Sequence, residues 1–399
     1  MKSQELIKIE NEYGAHNYHP LDVVVEKARG IWVYDVDGNK YMDCLAAYSA
    51  VNQGHCHPRI LETFKAQAEK VTLTSRAFRN DQLPRLYKKL NEMTGYEMSL
   101  PMNSGAEAVE TAVKLARRWA YDVKGVENNK AEIVVATGNF HGRTTTIVGF
   151  SDDPHSYQGF GPYCKDAFPM HEYGNIEDLK SKINKNTAAV MIEPIQGEGG
   201  IVIPPDGYLR QVSELCKENN ILFICDEIQS GLGRSGKLFA FEYEGIRPDM
   251  VIIGKALSGG FYPVSAVLTG KEIMLTIKPG EHGSTFGGNP LGAAVAVSAL
   301  EVIQEEKLVE RSYELGGYFM DKLNQIDSPH VKLVRGRGLW IGFVLDTKAR
   351  PYCEKLKEEG ILCKETHENI IRFAPPLIIT KEDIDWAVGK IEKVVKELD

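Results

Sequence analysis

The sequence predicts an α/β fold in which a large, mostly parallel sheet is covered by helices on both faces. Short apolar runs rich in branched residues alternate with longer amphipathic segments over most of the 399 residues. This order is typical of parallel sheets, because each helix carries the chain back across a face of the sheet. No internal repeat, low-complexity tract or flexible linker interrupts the pattern.

The spacing of apolar residues predicts the individual elements. Short runs rich in branched residues predict buried strands at residues 133–136, 188–193, 221–226 and 250–253. The clearest helix covers residues 106–120, where apolar side chains recur at intervals of three and four. The residues on this face are Val109, Ala112, Val113, Ala116 and Ala120.

The pattern changes near Pro290. A long helical stretch runs from there through Ile303, and a small α+β region follows, with strands near residues 331–334, 338–345 and 370–373. We therefore expect an N-terminal segment at residues 1–55, a large domain at 56–297 and a small C-terminal domain at 298–399. The two terminal segments are expected to pack together.

Composition limits the classes of protein. Hydrophobic residues make up 43% of the chain and charged residues 26%, which fits a globular protein and excludes disorder, collagen and coiled coil. The net charge is −8 and no Lys/Arg run is present, so nothing draws the protein to nucleic acid or acidic lipid. The first residues contain no apolar signal core, and no apolar stretch is long enough to cross a bilayer. We expect a cytoplasmic enzyme.

Metal binding is not predicted. The seven cysteines include no CxxC pair, so the sequence encodes neither a disulfide framework nor a zinc ribbon. His55, Cys56 and His57 are consecutive, and consecutive residues do not easily converge on one ion. A tight loop before a helix that starts near Pro58 is the better interpretation.

Residues 231–236 match the dinucleotide fingerprint GxGxxG and follow a strand. That fingerprint needs its glycines in the turn itself and a helix directly after them. Here residues 227–230 intervene, and residues 237–243 make a poor helix start. Residues 231–237 also resemble a Walker A loop, but Leu238 stands where that loop needs Ser or Thr. An NAD-dependent dehydrogenase therefore stays a remote alternative.

An ionisable residue lies at or just after the end of two predicted strands. Asp226 ends the run 221–226, and Lys255 follows the run 250–253, one strand–helix–strand spacing later. In open α/β sheets, ligands bind beyond the carboxyl ends of the strands. A Lys there could form a Schiff base with an aldehyde cofactor while an Asp keeps a ring nitrogen protonated. A solvated loop charge is the commoner role of any single Asp or Lys.

A third element supports the same cofactor. Ser104, followed by the small residues Gly105 and Ala106, directly precedes the predicted helix 106–120. Such a helix start favours a phosphate through its free N–H groups and the helix dipole, although most such motifs are only N-caps. A Schiff-base lysine, a ring-binding aspartate and a phosphate-binding helix together indicate pyridoxal 5′-phosphate.

Three longer motifs carry a family resemblance. Residues 193–200 (EPIQGEGG), 225–236 (CDEIQSGLGRSG) and 255–260 (KALSGG) resemble the signatures of class III aminotransferases of fold type I. The resemblance extends from Tyr13 to Pro376. Within the class, residues 13–21, 47–58 and 282–290 are most similar to members that act on ornithine.

The resemblance implies cofactor contacts. Lys255 would bind the cofactor covalently and shuttle the proton, Asp226 would hold the pyridine nitrogen, and Gln229 would approach the ring hydroxyl. Phe140 would stack on the ring. Further contacts would come from residues around the phosphate and the ring: Ser104, Gly105, Ala106, His141, Ser284 and Thr285. Thr285 would reach the phosphate of the neighbouring subunit, which implies a homodimer with shared active sites.

It also implies substrate contacts. Arg143 would clamp a substrate carboxylate, and Tyr18 and Tyr48 would shape the pocket, with Tyr18 at the α-amino end. Arg372 would bind the α-carboxylate and Glu198 would mask it, unless the two form only a structural ion pair. The implied reaction moves the 5-amino group of ornithine to 2-oxoglutarate, in proline and arginine metabolism.

Alternatives and departures from the family pattern remain. N-acetylornithine or 4-aminobutyrate are other substrates within the class, and a non-catalytic binding protein could share the fold. Phe286 stands where the family often has Tyr, His141 where some members have Trp, and Asp22 where Pro is common. None of these departures is expected to affect the cofactor chemistry.

Overall fold

The computed structural model describes residues 1–398. Its strands are β1 (Val25–Arg29), β2 (Trp32–Asp35), β3 (Lys40–Asp43), β4 (Met98–Met102), β5 (Glu132–Ala136), β6 (Met170–His171), β7 (Thr187–Ile192), β8 (Leu222–Asp226), β9 (Met250–Ile253), β10 (Ser265–Thr269), β11 (Val331–Gly336), β12 (Ile341–Leu345), β13 (Ile361–Leu362), β14 (Lys364–Thr366) and β15 (Ile370–Phe373).

Helices separate most of these strands. They are α1 (Ser3–Tyr13), α2 (Ala46–Ser49), α3 (Pro58–Ala68), α4 (Leu83–Thr94), α5 (Gly105–Trp119), α6 (Thr145–Gly149), α7 (Pro154–Tyr157), α8 (Ile176–Lys182), α9 (Tyr208–Glu218), α10 (Lys271–Met274), α11 (Pro290–Glu305), α12 (Leu308–Leu323), α13 (Arg350–Glu358) and α14 (Lys381–Leu398). Within residues 1–398, no helix is long and apolar enough to cross a membrane.

The predicted α/β fold is confirmed. A seven-stranded sheet has the order β4-β10-β9-β8-β7-β5-β6. Strands β9, β8, β7, β5 and β6 are parallel, whereas β10 runs antiparallel to both β9 and β4. β4 therefore points in the same direction as the parallel strands, and the carboxyl ends of all of them meet at one edge.

Both faces of the central sheet are buried, as expected for strands without polar alternation. In β8, Phe223 and Cys225 belong to the core on one face, while Leu222 and Ile224 belong to the core on the other. Alternate side chains of a strand project to opposite faces, so each strand needs two apolar sets. This requirement explains the nearly continuous apolar runs in the sequence.

The predicted elements are close to the observed ones. Strands β5, β7, β8 and β9 match the four predicted runs within one residue at each end. α5 begins one residue before the predicted helix, because Ser104 caps it. The predicted strand 338–345 begins later, at Ile341, and this start was wrong because Gly338 adopts a left-handed turn with φ 59°.

The two terminal segments pack together, as expected. β1, β2 and β3 form an antiparallel sheet, and β13 joins it by pairing in parallel with β3. A third sheet, ordered β11-β12-β15-β14, lies in the C-terminal region. The domain boundaries at residues 55 and 297 stay a prediction, and the second of them falls inside α11.

Helix α12 passes very close to the turn before β12. A methyl group on Gly316 would lie 2.0 Å from the backbone oxygen of Gly338, whereas a methyl group on Gly317 would meet nothing within 4 Å. The two glycines are neighbours in one helix, so replacing either by Ala changes the helix propensity equally. Their surroundings differ. Only Gly316 is required by the close approach.

We expect Gly316→Ala to destabilise the fold by about 2 kcal/mol or more, because backbone must move to make room. Gly317→Ala is the matched control and should be neutral or stabilising by roughly 0.5–1 kcal/mol, since Ala is the better helix former. Thermal unfolding of both variants measures the difference. Equal midpoints for the two variants would contradict this account of the contact.

Candidate active site

Functional side chains gather at the shared carboxyl edge of the central sheet. Asp226 ends β8, Lys255 follows β9, and the segment with Phe140 and His141 follows β5. They line a cavity of about 190 Å³. The other lining residues are Gly105, Ala106, Gly142, Glu193, Ile195, Ile228, Gln229 and Ser230. Most of the cofactor residues predicted from the sequence therefore lie together.

Lys255 occupies a strained backbone position. Its φ is 43°, in the left-handed region that non-glycine residues rarely adopt, and strain of this kind is concentrated at functional sites. Burial lowers the pKa of Lys255 to about 8, and the Arg372 charge adds to this effect, while the carboxylates of Glu198 and Asp226 oppose it. Roughly a tenth of this amine is therefore neutral, and so nucleophilic, at neutral pH, far more than for an ordinary lysine.

Asp226 is held by a direct contact with His141. His141 donates a hydrogen bond through Nδ1 to Asp226 Oδ2 over 2.6 Å, and the amide of Ile228 donates to Oδ1 over 3.0 Å. Burial disfavours the charged ring, but the hydrogen bond and the charges of Asp226 and Glu193 outweigh it and raise the pKa of His141. His141 therefore contacts the candidate ring-binding carboxylate itself, and the expectation that this departure from the family pattern leaves the cofactor chemistry unaffected stays a prediction.

Glu193 is a site residue that the sequence analysis missed. It follows β7, and its carboxylate accepts hydrogen bonds from the amides of Phe140 (2.8 Å) and Gly197 (3.2 Å). Burial raises the pKa of Glu193 to about 7, the nearby Asp226 adds to the rise, and His141 opposes it. A carboxylate at the end of a buried strand was the signal that identified Asp226, and it would have identified Glu193 too.

Gln229 lies where a neighbouring glycine leaves space for it. A methyl group on Gly197 would lie 2.0 Å from Gln229 Oε1, so no larger residue fits at position 197 without moving the amide. Gln229 Nε2 is buried and has no hydrogen-bond partner within residues 1–398. This donor is therefore available to a group in the cavity.

The N-terminus of α5 is the candidate phosphate cradle. Ser104 Oγ accepts from the Glu107 amide (3.2 Å), and the Glu107 carboxylate accepts from the Ser104 amide (2.7 Å), a capping box. The box uses the Ser104 hydroxyl internally. The amides of Gly105 and Ala106, which have no acceptor within the helix, point out of its N-terminus and favour an anion there.

Ser284, Thr285 and Arg143 lie outside this cavity. Ser284 Oγ accepts from Asn103 Nδ2 over 2.8 Å, directly beside the cradle. Thr285 is exposed, as is Phe286 after it. Arg143 is also exposed, forms no ion pair within residues 1–398, and places its guanidinium 5.4 Å from the centre of the Phe140 ring. These residues therefore border the site without closing it.

A second cavity, of about 380 Å³, contains the two predicted substrate tyrosines. Tyr18 and Tyr48 line it together with Lys364, which the sequence analysis missed. Arg372, only 2% exposed, donates to Glu198 Oε1 over 2.8 Å, and its guanidinium lies 5.5 Å from the Tyr48 ring centre. Arg372 Nε and Nη2 have no hydrogen-bond partner within residues 1–398. The predicted pair is thus formed, with two donors to spare.

Tyr48 is presented by an unusual backbone turn. All four residues of α2 have positive φ, which makes it a left-handed turn in a segment without glycine. Such a conformation costs roughly 1–2 kcal/mol per residue. Asp43 supports it by accepting hydrogen bonds from the amides of Leu45 and Ala46, both over 2.9 Å, and by pairing with His55 over 2.7 Å.

The GxGxxG segment has a structural position instead of a nucleotide-binding one. No helix follows it directly; a 3₁₀ turn begins only at Ala240. Its Arg234 is fully buried and donates to the backbone oxygens of Leu339 and Pro375, both over 2.7 Å, and to Asn52 Oδ1 over 2.6 Å. The segment therefore links the large domain to both terminal segments.

His55 and His57, on either side of Cys56, pair with different carboxylates. His55 pairs with Asp43, and His57 pairs with Glu306 over 2.8 Å. Within residues 1–398, no group of three His, Cys, Asp or Glu side chains is arranged to hold a metal ion.

Comparison with known proteins identifies the family. The model of the family "Aminotransferase class-III" matches residues 13–395. The chain belongs to the class III aminotransferases. These are pyridoxal-phosphate-dependent enzymes of fold type I, so the family and fold predicted from the motifs are confirmed.

Curated and solved relatives of this aminotransferase cover its whole length. The ornithine aminotransferase of Brevibacillus brevis is 60% identical over 394 residues (99% of this chain and 98% of the relative), and that of Bacillus subtilis is 59% identical over 395 residues (99% and 98%). The structure of ornithine aminotransferase from Toxoplasma gondii has a TM-score of 0.98 at 42% identity and covers 99% of this chain and 94% of that one. An acetylornithine aminotransferase from Elizabethkingia anophelis has a TM-score of 0.91 at 47% identity and covers all of both chains.

The site residues of this aminotransferase fit pyridoxal 5′-phosphate. An amine of lowered pKa and a carboxylate face one cavity, the α5 amides offer an anion site beside it, and Gln229 Nε2 and His141 Nε2 are buried without partners within residues 1–398. Each group suits a different part of the cofactor: its aldehyde, its ring nitrogen and hydroxyl, and its phosphate.

We expect covalent capture of pyridoxal phosphate at Lys255 to rise with a midpoint near pH 8, because the pKa of Lys255 is lowered to about 8 and only the neutral amine attacks the aldehyde. Cofactor-free protein would be mixed with pyridoxal phosphate at a series of pH values between about 6 and 11 and then reduced with borohydride. Peptide mass spectrometry would locate the modified lysines. Surface lysines are the internal control, with an ordinary midpoint at about pH 10.4. A Lys255 midpoint equal to theirs would contradict the lowered pKa, and Lys255→Ala should lose the site-specific adduct.

Proposed function

We propose that this aminotransferase transfers the 5-amino group of L-ornithine to 2-oxoglutarate, giving glutamate 5-semialdehyde and glutamate. The observation that carries the proposal is the buried Arg372 masked by Glu198 beside Lys255. An enzyme that uses a terminal amine in one half-reaction and an α-keto acid in the next needs an α-carboxylate site that can be hidden. Similarity to curated ornithine aminotransferases over the whole chain supports the same substrate.

The cavity residues have distinct chemical roles in this proposal. When bound, pyridoxal phosphate supplies an aldehyde carbon that carries the amino group and a ring that accepts electrons from the breaking C–H bond. Asp226, fixed by His141, keeps a proton on the ring nitrogen. Lys255 Nζ, with its lowered pKa, accepts the proton from the substrate carbon and returns it. Glu193 holds the backbone of Phe140, whose side chain would lie against the ring.

Substrate orientation would depend on the masked arginine. While Glu198 neutralises Arg372, Arg143 binds the α-carboxylate of ornithine and Tyr18 binds its α-amine. The terminal amine of ornithine then reaches Lys255. When Glu198 turns away, Arg372 offers Nη1, Nε and Nη2 to the α-carboxylate of 2-oxoglutarate. Selectivity then rests partly on a group made unavailable to the wrong orientation.

N-acetylornithine is the second candidate substrate. The Elizabethkingia anophelis acetylornithine aminotransferase resembles this chain over its full length, and Tyr18 is 65% exposed at a cavity of about 380 Å³. The Tyr18 hydroxyl favours a free α-amino group, because it can pair with a charged ammonium, while an acetylated nitrogen is uncharged and bulkier.

We expect ornithine to be the best donor of three: ornithine, N-acetylornithine and 4-aminobutyrate, each assayed with 2-oxoglutarate. Trapping pyrroline-5-carboxylate with an aromatic amine reports the 5-semialdehyde. Tyr18→Phe should lower kcat/KM for ornithine roughly ten- to a hundredfold, the value of a hydrogen bond to a charged group, and leave 4-aminobutyrate nearly unchanged. Tyr13→Phe, at an exposed tyrosine on α1, is the matched control. A preference for N-acetylornithine would overturn the proposed substrate.

We also propose a homodimer with shared active sites. The exposed Thr285 follows Ser284, which contacts Asn103 beside the cradle, and Phe286 next to Thr285 is 44% exposed. An exposed aromatic side chain beside a candidate phosphate ligand fits a surface that a second copy covers. Thr285 would then complete the cradle of the partner.

Mixed dimers test the sharing. A Lys255→Ala subunit combined with a Thr285→Ala subunit would contain one doubly damaged site and one intact site, so we expect about half the wild-type activity and one tight cofactor site per dimer. If Thr285 serves its own subunit, both sites are damaged, and the mixed dimer is no better than the Thr285→Ala parent. Homodimers of each variant, purified in parallel, are the controls.

A further inference from the structure

Lys364 is a third charged side chain beside the Glu198–Arg372 pair. β14 and β15 are antiparallel, and Lys364 lies directly opposite Arg372 in their register. Side chains at directly opposite positions leave the same face of a sheet about 5 Å apart, and like charges there destabilise the pair. The arrangement is favourable only if an anion neutralises both cations, and Glu198 is the carboxylate bound to one of them.

Both cations also flank the ring of Tyr48. Lys364 Nζ donates to Tyr48 Oη over 3.3 Å and lies 5.9 Å from the Tyr48 ring centre, while the Arg372 guanidinium lies 5.5 Å from the same centre. Lys364 Nζ is also 5.9 Å from the Tyr18 ring centre. Within residues 1–398, Lys364 forms no ion pair. Its charge thus lies in the substrate cavity, next to the Tyr48 hydroxyl and close to both tyrosine rings.

Glu198 is tied to the strand that carries Lys364. Thr366 Oγ1, on β14, donates to the backbone oxygen of Glu198 over 2.9 Å. The Glu198 side chain is 32% exposed, whereas Arg372 is 2% exposed, so the carboxylate is the partner with room to turn. Burial opposes ionisation of Glu198, but the charges of Arg372, Lys255 and Lys364 outweigh it and lower its pKa.

We propose that Lys364 is the second docking point of Glu198: when the carboxylate leaves Arg372, it pairs with Lys364 Nζ. The inference rests on the proposed masking of Arg372 and says where the mask goes. A carboxylate turned into this mostly apolar cavity without a partner would lose the stabilisation that its pairing with Arg372 provides. An adjacent cation removes most of that loss, so the masked and open states become close enough in free energy for substrate to select between them. Lys364 is a positioning residue, since it acts through Glu198.

Stopped-flow half-reactions with ornithine and with glutamate test the inference on the holoenzyme. Lys364→Met removes the charge and keeps the stem. It should lower kcat/KM for glutamate roughly ten- to a hundredfold, mainly through KM, and lower it clearly more than kcat/KM for ornithine. Lys364→Arg should restore the glutamate half-reaction. In a Glu198→Ala background, Lys364→Met should have no further effect on glutamate, because no carboxylate remains to be held.

The single variant Glu198→Ala distinguishes a failure of the proposed masking from a failure of the Lys364 inference. If masking operates, this variant speeds the glutamate half-reaction and lets ornithine react increasingly through its α-amine. If it slows both donors equally and still yields only the 5-semialdehyde, the masking fails and the Lys364 inference falls with it. If Glu198→Ala behaves as expected but Lys364→Met slows both donors equally, or keeps its effect without Glu198, only the Lys364 inference is overturned.

Discussion

The common direction of β4, β5, β7, β8 and β9 is the constraint on which the site depends. Each strand delivers one part of the site at its carboxyl end: the candidate phosphate cradle, the Phe140–His141 segment, Glu193, Asp226 and Lys255. A reversed strand would place its residue at the opposite edge of the sheet. The antiparallel β10 brings no functional side chain here; Ser265 at its start only anchors the cradle, donating to the Ser104 backbone oxygen over 2.7 Å.

Charge balance is the second condition for such a crowded interior. Three carboxylates, on Asp226, Glu193 and Glu198, share the region with cationic or ionisable groups on Lys255, His141 and Arg372. Unpaired charges in this environment would shift to their neutral forms. Burial nevertheless lowers the pKa of Lys255 and raises the pKa of Glu193, so both move toward neutral pH. Groups poised in this way can exchange protons with little driving force.

Local sequence signals identified two of the site residues that lie at strand ends, and the same signal was overlooked at Glu193. Asp226 and Lys255 were predictable, because a charged residue after an apolar run is visible without any tertiary information. The His141–Asp226 contact was not, since it joins the ends of two strands that are distant in sequence. Lys364 was missed because its position opposite Arg372 depends on a strand register that side-chain pattern alone does not fix. The left-handed turn of α2 was equally hidden, because neither Ala nor Tyr favours that conformation.

Arg234 limits how this molecule can move. Its guanidinium donates hydrogen bonds to neutral acceptors in three parts of the chain, on Asn52, Leu339 and Pro375. Burial lowers the pKa of Arg234 to about 9. Any hinge between the large domain and the terminal segments would strip these donors of partners in a dry interior. The part of the site that contains Lys255 and the part that contains Arg372 are thus held in a fixed relative position. Adaptation to two unlike substrates is left to individual side chains turning inside a stiff frame.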